Sequence, residues 1–378
     1  MDLICLSHIK WNFVYQRPQH LLNRFAINNR VFVIEEPVYD AHFDYYEIDQ
    51  PDPKANLWVV QLYVSKCSSK EKTNHVLKAL LDSFIYSNHI SKYILWYYSP
   101  MALDFTDHLS PELIIYDCMD ELSAFKSPPK RIKENENCLL NSADLVFTGG
   151  HSLYNAKKHL HHNVHPFPSS IDKSHFYQAR TLHADPKDQA DIPHPRFGFY
   201  GVIDERFNIS LVDELSELRP DWHFIFIGPI VKINKEKLPK KENIHFLGRK
   251  HYEELPSYLA GWDIAMLPFA LNEATRYISP TKTPEYLAGG KPVISTSIAD
   301  VVNPYGNKGL VHIADTAEEF IKEAEKIFKS QKKEDWIKKV DNYLAGISWN
   351  RTWRKMSALI DGELEKKSKV TKKMKVYV

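Results

Sequence analysis

The chain has 378 residues, the length of two ordinary domains, and a hydrophobic fraction of 43% is enough to give each a full core. Acidic and basic residues balance to a net charge of +1, which excludes the global basic field of a nucleic-acid-binding protein. Four scattered cysteines (Cys5, Cys67, Cys118, Cys138) without C-x-x-C spacing read as reduced thiols of a cytosolic protein, and no apolar run is long enough to span a bilayer.

Residues 3–6 form an apolar run that reads as a buried parallel strand, with no signal peptide ahead of it. A loop through Trp11 follows, then a helix from Arg17 with Pro18 in its first turn, then a second strand at 31–34. This β-loop-α-β start predicts a doubly wound sheet, with Glu35 and Glu36 at the strand end where such sheets place ligand groups. Residues 40–56 are acidic and aromatic and read as a surface excursion; 58–62 reads as an edge strand. Further strands are expected at 93–98, 113–116 and 145–148, with helices at 74–88, 129–142 and after Ser152.

The polar stretch from Asp172 to Pro195 reads as a linker. A second α/β unit follows, with strands at 197–200, 222–227, 244–247, 264–267, 293–294 and 310–313 and helices at 252–259 and 317–329. The end of the chain repeats Trp353, Met356 and Ile360 on one helical face and runs into a lysine-rich tail. The expected architecture is therefore α/β, two Rossmann-like doubly wound domains facing a cleft: 1–175, a linker 176–195, 196–345, a crossing helix 346–365 and a basic tail 366–378.

Glycine is distributed unevenly. None occurs before Gly149, so the first domain lacks the Gly-rich turn that brings backbone up to a pyrophosphate, and no G-x-x-x-x-G-K-[ST] loop exists anywhere. Phosphate binding must then belong to the second domain. The stretch 279–292 offers it: Ser279, Pro280 and Thr281 suit a helix start, and Gly289-Gly290 and Pro292 end the helix. Lys282 in the first turn is poorly placed for helix stability and makes sense beside an anion, and Glu285 is placed to accept hydrogen bonds from ribose hydroxyls.

These residues resemble the GT-B glycosyltransferases, specifically the broad family 4-like group (the glycosyltransferase family 1 group). The stretch Ser279-Pro280-Thr281-Lys282-Thr283-Pro284-Glu285-Tyr286-Leu287-Ala288 with Gly290-Lys291-Pro292-Val293 is similar to the family's SPxKxxEYLAxGKPV donor loop. The turns at Gly201 and Gly228, the segment 244–248 with Tyr252, Leu255, Trp262-Asp263 and Pro268, and Ser142-Ala143-Asp144 with 145–148 match as well, as does Trp349. One departure is that many relatives carry two glutamates eight residues apart, whereas Tyr277 stands eight positions before Glu285 here, and Glu273 is at the wrong spacing.

The resemblance implies a metal-independent transfer of a sugar from a nucleotide donor, expected to be UDP-linked, with no cofactor. It puts the pyrophosphate against Gly201, Ser279, Pro280, Thr281 and Lys282, with Arg206 a second cation and Arg276 a weaker one. The ribose falls to Glu285 and the base to Gly248, Arg249 and Lys250. The chain contains no D-x-D pair, so the metal clamp of the other large glycosyltransferase class is not expected.

Acid–base work is expected from the first domain, where Asp117, Asp120 and Glu121 follow a strand and burial with like charge raises a carboxylate. Asp120 is the first choice and Asp117 the next, although either also reads as a helix cap. His8, Trp11, Arg17 and Gln19 are expected to contact donor or acceptor. The cluster His159, His161, His162 and His165 reads as a surface loop rather than a metal site.

The expected partners are a nucleotide-sugar and a saccharide or lipid-linked acceptor in cell-surface polysaccharide or glycoconjugate synthesis, with no nucleic acid. The expected location is the cytoplasm, with peripheral contact to an anionic membrane through the lysines. Rival expectations are a nucleotide-sugar epimerase on the same fold and a catalytically silent sugar-nucleotide binder.

Overall fold

The computed structural model describes residues 1–234, 236 and 238–376, with side chains through residue 369. The first sheet is built from β1 (Asp2–Leu6), β2 (Val31–Ile34), β3 (Val38–Ala41), β4 (Tyr45–Asp49), β5 (Leu57–Ser65), β6 (Tyr93–Tyr97), β7 (Leu113–Cys118), β8 (Leu145–Thr148) and β9 (Val164–Pro166). Their order is β3-β5-β2-β1-β6-β7-β8-β9, all parallel, with β4 added antiparallel on β5. The apolar run of β1 is continuous because both of its faces are covered: Leu3 and Cys5 enter one core cluster, Ile4 and Leu6 the other.

Two expectations are corrected here. Residues 57–65 are an interior strand, not an edge, and the supposed excursion at 40–56 supplies β4 and the end of β3. Tyr45 of β4 stacks on Tyr63 of β5 at 4.4 Å, so cross-strand ring pairs stabilise a strand that polar periodicity had hidden.

The second sheet contains β10 (Arg196–Tyr200), β11 (His223–Ile227), β12 (Ile244–Gly248), β13 (Ile264–Leu267), β14 (Val293–Ser295) and β15 (His312–Ile313), ordered β12-β11-β10-β13-β14-β15. The chain winds outward from β10 and then returns, so the topological switch lies between β10 and β13. In the first sheet it lies between β1 and β6. Open parallel sheets bind ligands at such points, outside the carboxyl ends of the strands.

Residues 176–195 are not a free linker. Phe176, Ala179 and Ile192 are buried in the second core, and Gln189 bridges the Tyr258 carbonyl and the Trp262 indole N–H. The final helix, Trp349–Val376, continues through the expected basic tail. Trp349, Met356 and Ile360 of this helix are buried against Leu3, Trp96 and Phe147, so it returns to the first domain. Lys366 pairs with Glu363 and Lys367 with Asp144, at 2.6 Å each; the side chains of Lys372, Lys373 and Lys375 lie outside the described residues.

The domains are also joined near the second sheet's end. Gly149 and Gly150 follow β8, and both Asp300 carboxylate oxygens accept from the helix that comes next, from His151 N at 2.8 Å and Ser152 N at 2.9 Å. A Cβ on Gly150 would lie 2.1 Å from Asp300 Oδ2, so only glycine allows this approach.

Trp349 is 1% exposed and stacks on His20 of the first domain at 4.6 Å. Trp349→Ala is expected to remove about 3–5 kcal/mol, read as a lower urea midpoint of the first-domain transition. An unchanged midpoint would show that this helix contributes nothing to that domain.

Candidate active site

The carboxyl ends of both sheets open on one interdomain cavity of about 500 Å³. The second domain lines it with Gly201 after β10, Gly228 after β11, Arg249 after β12 and the segment from Ser279 to Lys282 with Glu285; the first lines it with Trp11, Tyr15, Met119, Asp120 and Gly149.

The three turns of the second domain are stacked. Gly201 N donates to the Ile227 carbonyl and Gly228 N to the Gly248 carbonyl, each at 2.8 Å. Gly201 (φ +142°) and Gly228 (φ +141°) have conformations that L side chains rarely adopt, and a Cβ on Gly228 would fall 2.0 Å from Gly201 O. Gly201 in turn makes room for Lys282, whose Cε would sit 2.1 Å from any Cβ there.

Lys282 opens the short helix Lys282–Ala288. Its Nζ lies 5.7 Å from the Phe199 ring centre and forms no ion pair among the described residues. Burial pulls its pKa down, with Glu285 opposing. Glu285 is 6% exposed and accepts from Tyr200 Oη at 2.9 Å; burial pushes its pKa up, with Lys282 and the Tyr200 bond opposing. The expected hydroxyl caps are absent: Thr281 has helical geometry and no side-chain cap bond, and the Ser279 carbonyl accepts from Ser169 Oγ at 2.5 Å. Ser279, Pro280 and Thr281 still line the cavity.

Arg206 also lines it, gripped by Asp204 through Nη2 at 2.7 Å and Nε at 3.0 Å, with its guanidinium 5.4 Å from the Phe125 ring centre. Asp120 faces these cations from the first domain. Its carboxylate accepts no hydrogen bond among the described residues, and burial raises its pKa against the pull of Arg206 and Lys282. The cavity therefore holds a cation without a counter-ion, a second cation beside it, and an unsatisfied carboxylate across the gap.

Other candidates lie elsewhere or are already engaged. Asp117 is fully buried and receives Arg17 Nε and Nη2 at 3.1 and 2.8 Å, while Arg17 Nη1 donates to the Phe167 carbonyl at 2.7 Å. This pair ties the helix Arg17–Phe25 to β7 and holds Asp117 off the cavity lining, which Arg17 itself still joins. Glu121 pairs with Lys157 at 2.7 Å, and Lys157 also holds Glu136. Gln19 braces its own loop, accepting from Gln16 N and donating to the Trp11 carbonyl. Trp11 lines the cavity, its N–H bound to Glu35.

His8 lies off the cavity lining with Nδ1 buried and unpartnered, its pKa lowered by burial to about 4. Gly248 bends the chain at φ +71°. Arg249 reaches across the cleft to the Asn12 carbonyl and Lys250 pairs with Asp188. Arg276 is exposed and faces Glu273. His161 and His165 bond to the Ala143 carbonyl and to Asn163, and among the described residues no cluster is placed to hold a metal.

Sequence reasoning placed Tyr200 and Tyr252 in matching segments without giving their rings a role, and passed over Tyr15. Tyr200 orients Glu285, and Tyr15 stacks on Tyr252 across the domain boundary at 4.5 Å. Nothing in local periodicity distinguishes such rings from core aromatics.

Residues 194–330 match the family model described as Glycosyl transferases group 1. The chain is 24% identical over 301 residues to a Bacillus subtilis (strain 168) protein named as the teichuronic acid biosynthesis glycosyltransferase TuaH, with 75% of each chain covered. Its fold is similar to that of sucrose-phosphate synthase from Thermosynechococcus elongatus (TM-score 0.70, 14% identity, 96% of this chain and 99% of that one). It is also similar to Anabaena HepE in complex with UDP and glucose (TM-score 0.66, 12% identity, 96% and 99%). Residues 194–330 are thus a group 1 glycosyl transferase domain, and the chain is a glycosyltransferase of the GT-B fold.

If Asp117 and Arg17 are structural, Arg17→Met strands a buried carboxylate and is expected to lower stability by about 3–5 kcal/mol in urea unfolding. A variant that unfolds like the parent but has lost turnover would return Arg17 to the list of ligand contacts.

Proposed function

We propose that this glycosyltransferase moves a sugar from a UDP-linked donor to a saccharide or lipid-linked saccharide acceptor in the synthesis of a cell-surface polysaccharide or glycoconjugate. The observation that carries the reading is Lys282: a cation with no counter-ion, laid over Gly201 at the mouth of the sheet, three residues before a buried Glu285. A diphosphate supplies the missing charge. Arg206, fixed by Asp204, supports it from the neighbouring turn, and Ser279, Pro280 and Thr281 complete the wall. The roles follow from charge development, since the leaving nucleoside diphosphate gains negative charge in the transition state and cations already in place stabilise it without reorganising.

Glu285, oriented by Tyr200, accepts hydrogen bonds from the ribose. The base lies toward Gly248, Arg249 and Lys250, beside Tyr15 and Tyr252. Asp120 faces the donor from the other domain and takes the proton from the acceptor hydroxyl. No metal or cofactor enters this scheme. UDP is supported by the neighbour whose structure contains UDP and glucose, and the polysaccharide acceptor by the name of the Bacillus relative. A cytoplasmic enzyme touching an anionic membrane would use the lysines after Glu365, so truncation there should release it from anionic vesicles.

A panel of UDP-, GDP- and ADP-sugars read by thermal shift tests the donor, because a ligand that binds the folded state raises apparent stability by mass action. UDP-sugars are expected to give the largest shift and Lys282→Ala to abolish it; a shift surviving Lys282→Ala sinks the reading. Sugar transfer measured with added acceptor distinguishes it from donor epimerisation.

Asp120→Asn is expected to keep UDP binding and lose about 10²–10⁴-fold in kcat. Because burial raises the Asp120 pKa and a base must be deprotonated, kcat/KM should fall as pH drops through a value above that of a free aspartate. A profile flat down to pH 4 would exclude Asp120 as that base.

A further inference from the structure

A second cavity, of about 570 Å³, adjoins the first at Ser169 and Ser279. Its walls are the segment after β8 and β9, the turn at Pro304 and Tyr305, Tyr343, and the first turns of the final helix. We propose that it is a binding site for an acidic glycan, separate from the donor cleft.

The chemistry of the walls selects that ligand. Tyr305 and Tyr343 meet at 5.4 Å and 69°, and neither hydroxyl is bonded to another described residue. Tyr305 is buried in the second core, and Tyr343 is half-buried beside it with Lys308 near its ring. What they and the neighbouring prolines offer is an apolar border with two unbonded phenols, suited to the apolar sides of sugar rings and to their hydroxyls.

Arg351 and Lys355 stand four residues apart on the helix and so share a face. Neither makes an ion pair among the described residues, although Arg180, Lys366 and Lys367 in the same region are all paired. The Arg351 guanidinium lies over Gly346, with Nη1 3.4 Å from where a Cβ would sit. The carboxylate in the lining, Asp300, has both oxygens committed to the His151 and Ser152 N–H groups. Arg351 and Lys355 outnumber that carboxylate, so the cavity presents an excess of positive charge beside surfaces that suit sugars. Carboxylate or phosphate groups on a glycan complement it, and a guanidinium binds either in bidentate fashion.

The position connects this cavity to the active site. Ser169 and Ser279 line both cavities, and the hydrogen bond between them is part of the wall that separates the two. A glycan in the second cavity thus rests against the back of the segment that leads into Lys282. The inference deepens the proposed function by taking the acidic glycan as the acceptor chain, held at a distance from its reacting end.

The test is calorimetric titration of the full chain with an oligogalacturonate hexasaccharide, with and without saturating UDP. Maltohexaose and inorganic phosphate serve as neutral-glycan and free-anion controls. The hexasaccharide is expected to bind equally well in the presence of UDP and to bind at least about tenfold more weakly to R351A/K355A, the loss expected from two charge-assisted contacts. Both residues are exposed, so the double variant is expected to keep its melting temperature and its thermal shift with UDP.

No hexasaccharide binding, undiminished binding to the double variant, displacement by UDP, or equal binding of phosphate would each overturn the proposal. The double variant decides the matter even if UDP itself fails to bind, an outcome that would count against the donor reading alone.

Discussion

A lysine lies half-buried over a glycine turn with no ion pair of its own among the described residues. Burial of a charge is tolerated in proteins when it is paired: Arg17 has Asp117, Lys157 has Glu121 and Glu136, Arg196 has Asp185, and half-buried Lys291 at least donates to the Ala260 carbonyl. Lys282 departs from that pattern. Its position is dictated from two sides, by the absence of a Cβ at Gly201 and by the helix Lys282–Ala288, whose next six residues are all buried. The protein has therefore fixed a positive charge at the cavity wall; burial lowers its pKa, and Glu285, Asp204 and Asp120 only partly oppose that.

Around that point, polar groups fall into two kinds. The fully satisfied ones build the frame: the Arg17–Asp117 pair holds the first helix to its sheet, Gln19 sets the loop that carries Trp11, and Asp204 fixes Arg206. The incompletely satisfied ones, Lys282 and Asp120, face each other across the cavity from different domains. That division separates groups bound into the frame from those whose charge is open to the cavity, and it puts Asp117 and Glu121 in the first group although they flank Asp120 in sequence.

The same division explains what could be read in advance. Continuous apolar runs such as 3–6 and 264–267 announce parallel strands buried on both faces, and the glycines at 201, 228 and 248 announce turns at the ends of those strands. The winding of both domains and the meeting of Lys282, Glu285 and Asp120 in one cavity were legible on that basis. The strands β3 and β4 were not, because their stabilisation is cross-strand ring packing such as Tyr45 on Tyr63, which leaves no periodic trace. Nor was the fate of Arg17: an arginine after the first strand looks the same in sequence whether its partner is a phosphate or a carboxylate 100 residues away. Residues 176–195 misled for a related reason, since their polarity includes Gln189, which is buried because it satisfies the Trp262 indole and the Tyr258 carbonyl together.

The two domains meet at the segment ahead of Lys282 as well as through the returning final helix. Asp300, at the end of the second sheet, caps the first-domain helix that begins at His151, and Ser169 donates to Ser279 two residues before Thr281. Gly150 allows both contacts, its missing side chain lying 2.1 Å from Asp300 and 2.8 Å from Ser279 Cβ. Any rotation of one domain against the other must break or carry these bonds, and so must move the segment that delivers Lys282. The backbone just ahead of Lys282 is thus held from the first domain, so the wall that carries this cation is braced by both halves of the chain.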